Sequence, residues 1–429
     1  MHSPPKVVVI GAGFGGMQAA QSLASSGAEI LLIDRNTHNT FIPLLYQVAT
    51  AQIEPEFIAY PVRNILRQSQ TMRFLRAEVE HVDFVRQHVR VNGTTIAYDY
   101  LILATGSQTH YLSVPGAAEH AFALRTLEDA VALRDRILTC VEQAAREADP
   151  VRRRQLLTFV IAGGGPTGVE IAGALVELKR SLGRHYPHLD LNEMHVSLAQ
   201  SGTRLLANLP EPLGRYTARK LERLGIPVRL QTRVTRVTPT AVEFDDGSSV
   251  AAATVVWAAG LEAALPDTTV EPYKARNNKL AVQPTLQLQR FANVYAIGDL
   301  AHAHHNGKPL SGVAPEALQQ GGAVARNIGR QMRGQSPQPF RYVNKGRLAI
   351  IGCYAGVGQI GPIRLTGFLP WLMWLSVHVV YLPGFRSRLF VLLSWIHGYA
   401  LHDRPVRQIL SSTGVTTRQL LPPIHNVLD

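Results

Sequence analysis

Two stretches of the chain repeat one pattern of apolar and small residues. Residues 6–10, KVVVI, carry four consecutive apolar positions after Lys6 and predict a buried parallel strand. GAGFGG follows, a helix is expected from near Met17, and EILLID predicts a second strand ending at Asp34. The pattern returns at 156–162, where LLTFVIA predicts a strand, GGGPTGVE a turn, ALVELKR a helix and EMHVSLAQ the next strand. Gly11, Gly13 and Gly16, and again Gly163, Gly165 and Gly168, have GxGxxG spacing. Such glycines let a strand-to-helix turn close and bring backbone N–H groups and a helix terminus against a pyrophosphate. With a strand before it and a second strand after it, each motif reads as a dinucleotide-binding unit rather than an incidental turn. The expected fold class is α/β, with two Rossmann-like units and two nucleotides bound close together.

Three further strands end in small or acidic residues. YDYLILATG ends in Ala104, Thr105 and Gly106, and TVVWAAG ends in Ala258, Ala259 and Gly260. Both read as crossings between domains where the backbone passes near a nucleotide. FANVYAIGD ends in Gly298 and Asp299, and Asp299 is also compatible with an ordinary helix cap. The polar run READPVRRRQ, ending at Gln155, is expected to be a solvated loop with surface arginines.

Composition narrows the chemistry. A length of 429 residues suits two to three domains, and 46% hydrophobic against 17% charged residues argues against disorder. Cys140 and Cys353 are the only cysteines and lie far apart, which excludes a CxxC pair, a four-cysteine zinc site and a cysteine-held iron–sulfur cluster. Both are expected to be packed residues, and no metal is expected. The N-terminus enters a strand without an apolar signal segment, so a cytoplasmic start is expected.

The net charge of +12 is uneven: residues 326–429 hold twelve Lys or Arg and two acids, leaving only +2 for the rest. That segment also holds Trp371, Trp374 and Trp395, three of the four tryptophans. FLPWLMWLSVHVVYLP at 368–383 and LFVLLSWIHGYAL at 389–401 are apolar but short of the roughly 20 residues of a spanning helix. They read as two interfacial helices, with the tryptophans among the lipid-facing groups and Arg386 and Arg388 at headgroup level. Basic charge beside apolar sequence favours an anionic lipid surface, and no motif for nucleic acid is present.

Four stretches together, GAGFGG, the ATG at 104–106, GGGPTGVE at 163–170 and VYAIGD at 294–299, resemble the two-dinucleotide-binding-domain flavoproteins. FIPLLYQVAT at 41–50, which contains Gln47, and SGVAPEALQQG at 311–321 narrow the resemblance to the type II NADH dehydrogenases, the non-proton-pumping NADH:quinone oxidoreductases. The resemblance runs from Lys6 to about Arg407. It implies FAD on the first unit, with Asp34 at its ribose, Asp299 at its ribityl or pyrophosphate side, and 41–50 lining the isoalloxazine. NADH would lie on the second unit with its nicotinamide stacked on the flavin, and Glu170 near that contact, positioning the reductant or relaying a proton. The implied domains are 1–125 and 261–330 for FAD, 126–260 for NAD(P)H, and 331–429 as a C-terminal region with membrane-binding helices at about 368–401. The implied acceptor is a membrane quinone, reached from the cytoplasmic face of the cell membrane by a peripheral protein; a homodimer is possible.

Two departures from the family pattern matter. Gln200 ends HVSLAQ, where an acid would accept from the adenine-ribose hydroxyls of NAD and repel the extra phosphate of NADP; with Arg204 close behind, NADPH is a possible second reductant. Pro315 replaces the first glutamine of the quinone motif, leaving Ala317, Gln319 and Gln320 as expected contacts. Other readings compatible with the residues are a related reductase or NAD(P)H oxidase with another acceptor, and a non-enzymatic redox-responsive binding protein.

Overall fold

A computed structural model describes residues 3–409 except Gln68 and Gln70. The chain divides into two compact units: Met1–Thr40, Ala59–Gln108 and Leu261–Asn344 form the first, and Phe41–Ile58, Thr109–Gly260 and Lys345–Asp429 the second.

The first unit is built on a six-stranded sheet in the order Gln287–Leu288, Phe291–Ala296, Tyr100–Leu103, Lys6–Ile10, Glu29–Asp34, Met72–Arg76. Apart from the outermost antiparallel strand its pairings are parallel. From Val7 to Ile10 the strand is buried on both faces, which is why these four positions read as an apolar run: Val7 and Val9 join one core cluster, Val8 and Ile10 the other. The helix Phe14–Leu23 follows the first glycine turn and packs on the helix Ala314–Met332. They approach so closely that a Cβ at Gly321 would overlap the carbonyl oxygen of Gly15.

In the second unit, five parallel strands run in the order Ala121–Ala123, Thr254–Trp257, Thr158–Ala162, His195–Gln200, Val228–Leu230. The long helix Pro166–Leu182 follows the second glycine turn. An antiparallel meander, Arg347–Gly352, Ala355–Ile360 and Ile363–Gly367, leads into the C-terminal helices Phe368–Tyr381 and Phe385–Leu401. The meander sits directly on the long helix. A Cβ at Gly173 would overlap the carbonyl oxygen of Ile351 and lie 2.7 Å from its carbonyl carbon.

Two expectations are corrected. The run at 146–155 is not a loop throughout: Pro150–Leu156 is helical, because the Asp149 side chain accepts from the Val151 N–H and Pro150 occupies the first helical position. One of its arginines, Arg153, makes a two-point pair with Glu193. The tryptophans do not face outward either. Trp371, Trp374 and Trp395 are all buried, and the exposed faces of the two C-terminal helices are made by Phe368, Leu372, Val380, Phe385, Leu393 and Ile396. The indole N–H groups of Trp395 and Trp374 find Gln47 and Glu170 on the inward face, where hydrocarbon would offer no acceptor, and Trp371 packs among the rings of Tyr354 and Tyr399.

Placing a methyl group at residue 173 has no room to be absorbed, since its neighbours are backbone. Gly173→Ala is expected to destabilise the protein by about 1–3 kcal/mol, read as a lowered midpoint in urea unfolding followed by far-ultraviolet circular dichroism.

Candidate functional site

In the first unit the glycine turn is sterically required. A Cβ at Gly11, where φ is +104°, would overlap the Ala104 carbonyl oxygen, and one at Gly16 would overlap that of Gly11. Gly13 differs: nothing lies within 4 Å of a Cβ placed there. The turn is thus closed by its outer glycines and open at its middle one. Asp34 supports it, one carboxylate oxygen accepting from Ala12 N–H at 2.6 Å and the other from Asn36 N–H at 2.7 Å. Asn39 Nδ2 donates to the Ala12 carbonyl at 2.6 Å. Beside the turn, the Thr105 hydroxyl is buried without a hydrogen-bond partner among the described residues, and Gly106 turns the chain with φ +74°.

The same unit holds Asp299, which accepts from the Ser107 hydroxyl at 3.0 Å. Gly298 has φ +71°, and its N–H donates to Gln320 Oε1 at 2.6 Å. A Cβ at Gly298 would lie 3.6 Å from that of Ala317. Gln319 clasps residue 343 through both amide ends: Nε2 donates to the Val343 carbonyl and Oε1 accepts its N–H, each at 2.9 Å. Both glutamines of the expected quinone motif therefore hold backbone within the unit. Glu316, which sequence reasoning passed over, is 1% exposed and accepts from Ser311 and Gly312 at 3.1 and 2.8 Å. Its signal was a glutamate in the first turn after Val313 and Pro315, the position from which an acid can reach back to free N–H groups.

The second unit repeats the turn. A Cβ at Gly163, φ +113°, would lie 2.5 Å from the Ala258 carbonyl oxygen, one at Gly168 would overlap that of Gly163, and Gly165 is open. Ala259 is exposed at the end of its strand, and Gly260 leaves no room for a Cβ beneath the His110 carbonyl. Gln200 Oε1 accepts from Gly164 N–H at 2.7 Å, the same service that Asp34 gives Ala12. Arg204 turns back to its own loop and donates to the Ala207 carbonyl at 2.8 Å.

Glu170 is buried inside the second unit, with its carboxylate 3.5 Å from the Ile350 N–H and within hydrogen-bonding reach of Trp374. Burial pushes its carboxyl up to about 8, only partly offset by the hydrogen bonds from Ile350 and Trp374. Tyr46 lies edge-on to Trp374 at 6.1 Å, and burial raises its hydroxyl well above the usual range. His378 stacks on Trp374 at 3.7 Å, and burial pushes its imidazole down to about 4. Gln47 has no exposed surface: its Nε2 donates to Tyr46 Oη at 2.9 Å and its Oε1 accepts from Trp395 at 2.7 Å. Trp374, His378 and Trp395 are absent from the sequence-based set because a tryptophan or histidine in an apolar run carries no sign of which face it takes.

The residues present fit an organic dinucleotide. An open middle glycine in each turn, set between closed outer ones, leaves space for a pyrophosphate against backbone N–H groups, and Thr105 offers an unspent hydroxyl.

Comparison with known proteins agrees. The sequence profile of the pyridine nucleotide-disulphide oxidoreductases matches residues 5–321. The type II NADH:quinone oxidoreductase Ndh of Mycobacterium tuberculosis is 38% identical over 411 residues, spanning 91% of this chain and 88% of that protein. A second type II NADH:quinone oxidoreductase from the same organism, NdhA, is 36% identical over 91% of this chain and 86% of its own length. In fold, the chain is similar to NDH2 from Plasmodium falciparum in complex with NADH, with a TM-score of 0.85 and 19% identity over 92% of this chain and 98% of that one. With two nucleotide turns, a relative this similar over nearly its whole length and no cysteine pair, the chain belongs to the type II NADH:quinone oxidoreductases.

Proposed function

We propose that the first unit binds FAD and the second binds NADH, and that the protein catalyses the reaction of NADH, one proton and a membrane quinone to give NAD+ and quinol, without pumping protons. The observation that carries this reading is the duplicated turn, closed by its outer glycines and open at Gly13 and Gly165. Bound FAD supplies the two-electron carrier between the nicotinamide and the quinone. Gly11, Gly13 and Gly16 hold the flavin nucleotide's pyrophosphate, Asp34 keeps lone pairs for its ribose, and Asp299 with the Thr105 hydroxyl supports the remainder. Gly163, Gly165, Gly168 and the small residues Ala259 and Gly260 hold NADH. Gln319 and Gln320 serve the quinone end by holding the backbone at Val343 and Gly298, with Ala317 packed beside them.

The reaction takes up one proton beyond the hydride. Glu170, protonated at neutral pH, holds such a proton on a buried carboxyl oxygen. Hydride transfer itself needs close positioning rather than a strong base.

The protein is a peripheral membrane protein, and among the described residues no helix is long and apolar enough to cross a membrane. We place its outer apolar face on anionic lipid at the cytoplasmic side, where exposed Arg386 and Arg388 meet headgroups. Nucleic acid is not a partner in this reading, and a homodimer is compatible with it.

Anaerobic mixing with NADH tests the assignment: the oxidised flavin spectrum should bleach and added quinone should restore it. A fully flavinated sample that neither NADH nor NADPH can bleach would refute it.

Gln200 has one accepting oxygen, already engaged by Gly164 N–H, where a carboxylate would have two, and it carries no charge to exclude NADPH. Gln200→Glu is expected to raise the NADH-over-NADPH ratio of kcat/KM by about five- to tenfold, the effect of about 1 kcal/mol of exposed like-charge repulsion; steady-state kinetics with both reductants measures it.

The raised pKa of Glu170 also has a stability consequence. Between the ordinary carboxyl value of 4.5 and about 8 the folded state binds a proton that the unfolded state has released, so the parent loses stability as pH rises through that window. Glu170→Gln has no such proton to lose. Its urea midpoint relative to the parent's should therefore climb from pH 5 to pH 8 and level off above; a constant difference would show that Glu170 is ionised throughout.

A further inference from the structure

The helix Phe385–Leu401 has two faces with different work. Leu389, Leu393 and Ile396 are exposed on one. Val391, Trp395 and Tyr399, spaced four residues apart and so stacked along a single face, are buried on the other. The helix is seated on the segment 41–58 through Trp395 of that row and, at its margin, through Phe390. Trp395 Nε1 donates to Gln47 Oε1 at 2.7 Å, Gln47 Nε2 donates to Tyr46 Oη at 2.9 Å, and Phe390 stacks on Phe57 at 5.0 Å. The preceding helix adds Trp374 against Tyr46 and His378 against Phe41, at 6.1 and 6.0 Å.

The direction of this hydrogen-bond chain follows from donor chemistry. An indole N–H can only donate, so the oxygen of the Gln47 amide must face it, and the amide nitrogen must face Tyr46. Tyr46 Oη is then an acceptor toward Gln47, which sends its own proton elsewhere. Burial keeps that proton on the hydroxyl, since it raises the group well above its ordinary value. Removing the indole N–H would leave a fully buried amide oxygen unpaired and free the amide to turn over, with Tyr46 following it.

We propose that Trp395 is a positioning residue for quinone reduction: through Gln47 it orients Tyr46 as a hydrogen-bond donor within the segment 41–58. The helix that presents its apolar face outward thus sets the order of segment 41–58 with the other face. The proposal rests on the reading that the protein reduces a quinone, and it assigns a role to a residue that the nucleotide motifs do not reach.

The test uses the full-length holoenzyme with four variants: Trp395→Phe, Gln47→Leu, the two combined, and Ile396→Glu on the exposed face of the same helix. Three quantities are read: anaerobic bleaching by NADH, reoxidation of the reduced flavin by a short-chain, water-soluble quinone in detergent, and co-sedimentation with vesicles containing anionic phospholipid. Trp395→Phe should keep flavin bleaching within about twofold and vesicle binding at the parent level, yet slow reoxidation about five- to tenfold. Gln47→Leu should slow it similarly, and the double variant no further, because both remove one interaction. Ile396→Glu should do the reverse, losing vesicle binding while keeping reoxidation in detergent. Should Trp395→Phe fail to retain flavin, Gln47→Met is read instead. It leaves the indole only a weak thioether acceptor and offers Tyr46 no donor, and should slow reoxidation equally. Reoxidation at the parent rate in the variant read, slowing that multiplies in the double variant, or an Ile396→Glu protein slowed as much as Trp395→Phe, would each overturn the positioning role. A parent enzyme that bleaches but is not reoxidised by any quinone would instead contradict the assigned reaction.

Discussion

The approach of the Ile351 carbonyl to the α-carbon of Gly173 sets the arrangement of the second unit. Because residue 173 has no side chain, the C-terminal meander lies directly on the helix Pro166–Leu182, and that contact brings Ile350 N–H to Glu170 three residues earlier on the same helix. Further along, Arg404 pairs with Glu177, and the Ser181 hydroxyl donates to Asp403 at 3.0 Å. The helix Leu45–Ala49 packs on it too. One helix therefore starts at a nucleotide turn, carries the buried acid, and supports both the C-terminal helices and the segment 41–58.

That shared support explains why polar groups are tolerated so far inside. Glu170, Tyr46, Gln47 and Trp395 would each be costly alone in an apolar interior, but three of them form a continuous hydrogen-bonded chain and the fourth is neutral over most of the physiological range. Protonation of Glu170 is the least expensive way to bury it, and the proposed reaction gives that same proton a use.

Much of the fold was legible in the chain because its physics is local. An apolar run buried on both faces, a turn that only glycine can make, and an acid or amide that reaches back to the turn are all written within one short stretch of chain, as at Gly11 to Asp34 and Gly163 to Gln200. What escaped the sequence depends on faces and distant partners. The inward tryptophans could not be told from outward ones, because apolar residues occupy both sides of the C-terminal helices. Segment 41–58 belongs by contacts to the second unit, although it follows the first glycine motif closely in sequence. Gln319 and Gln320 kept the residue types of a binding motif, but their amides hold Val343 and Gly298. The Asp149–Pro150 helix start was readable and was outweighed by the three arginines behind it.

Native-state hydrogen exchange of the intact protein addresses the claim that the long helix, segment 41–58 and the C-terminal helices are one cooperative body. Amides in Leu45–Ala49, Pro166–Leu182 and Phe385–Leu401 should converge on a single opening free energy as urea is raised. If Phe385–Leu401 and Leu45–Ala49 instead open together at low urea while Pro166–Leu182 keeps its protection unchanged, the helix does not hold them and the account is contradicted.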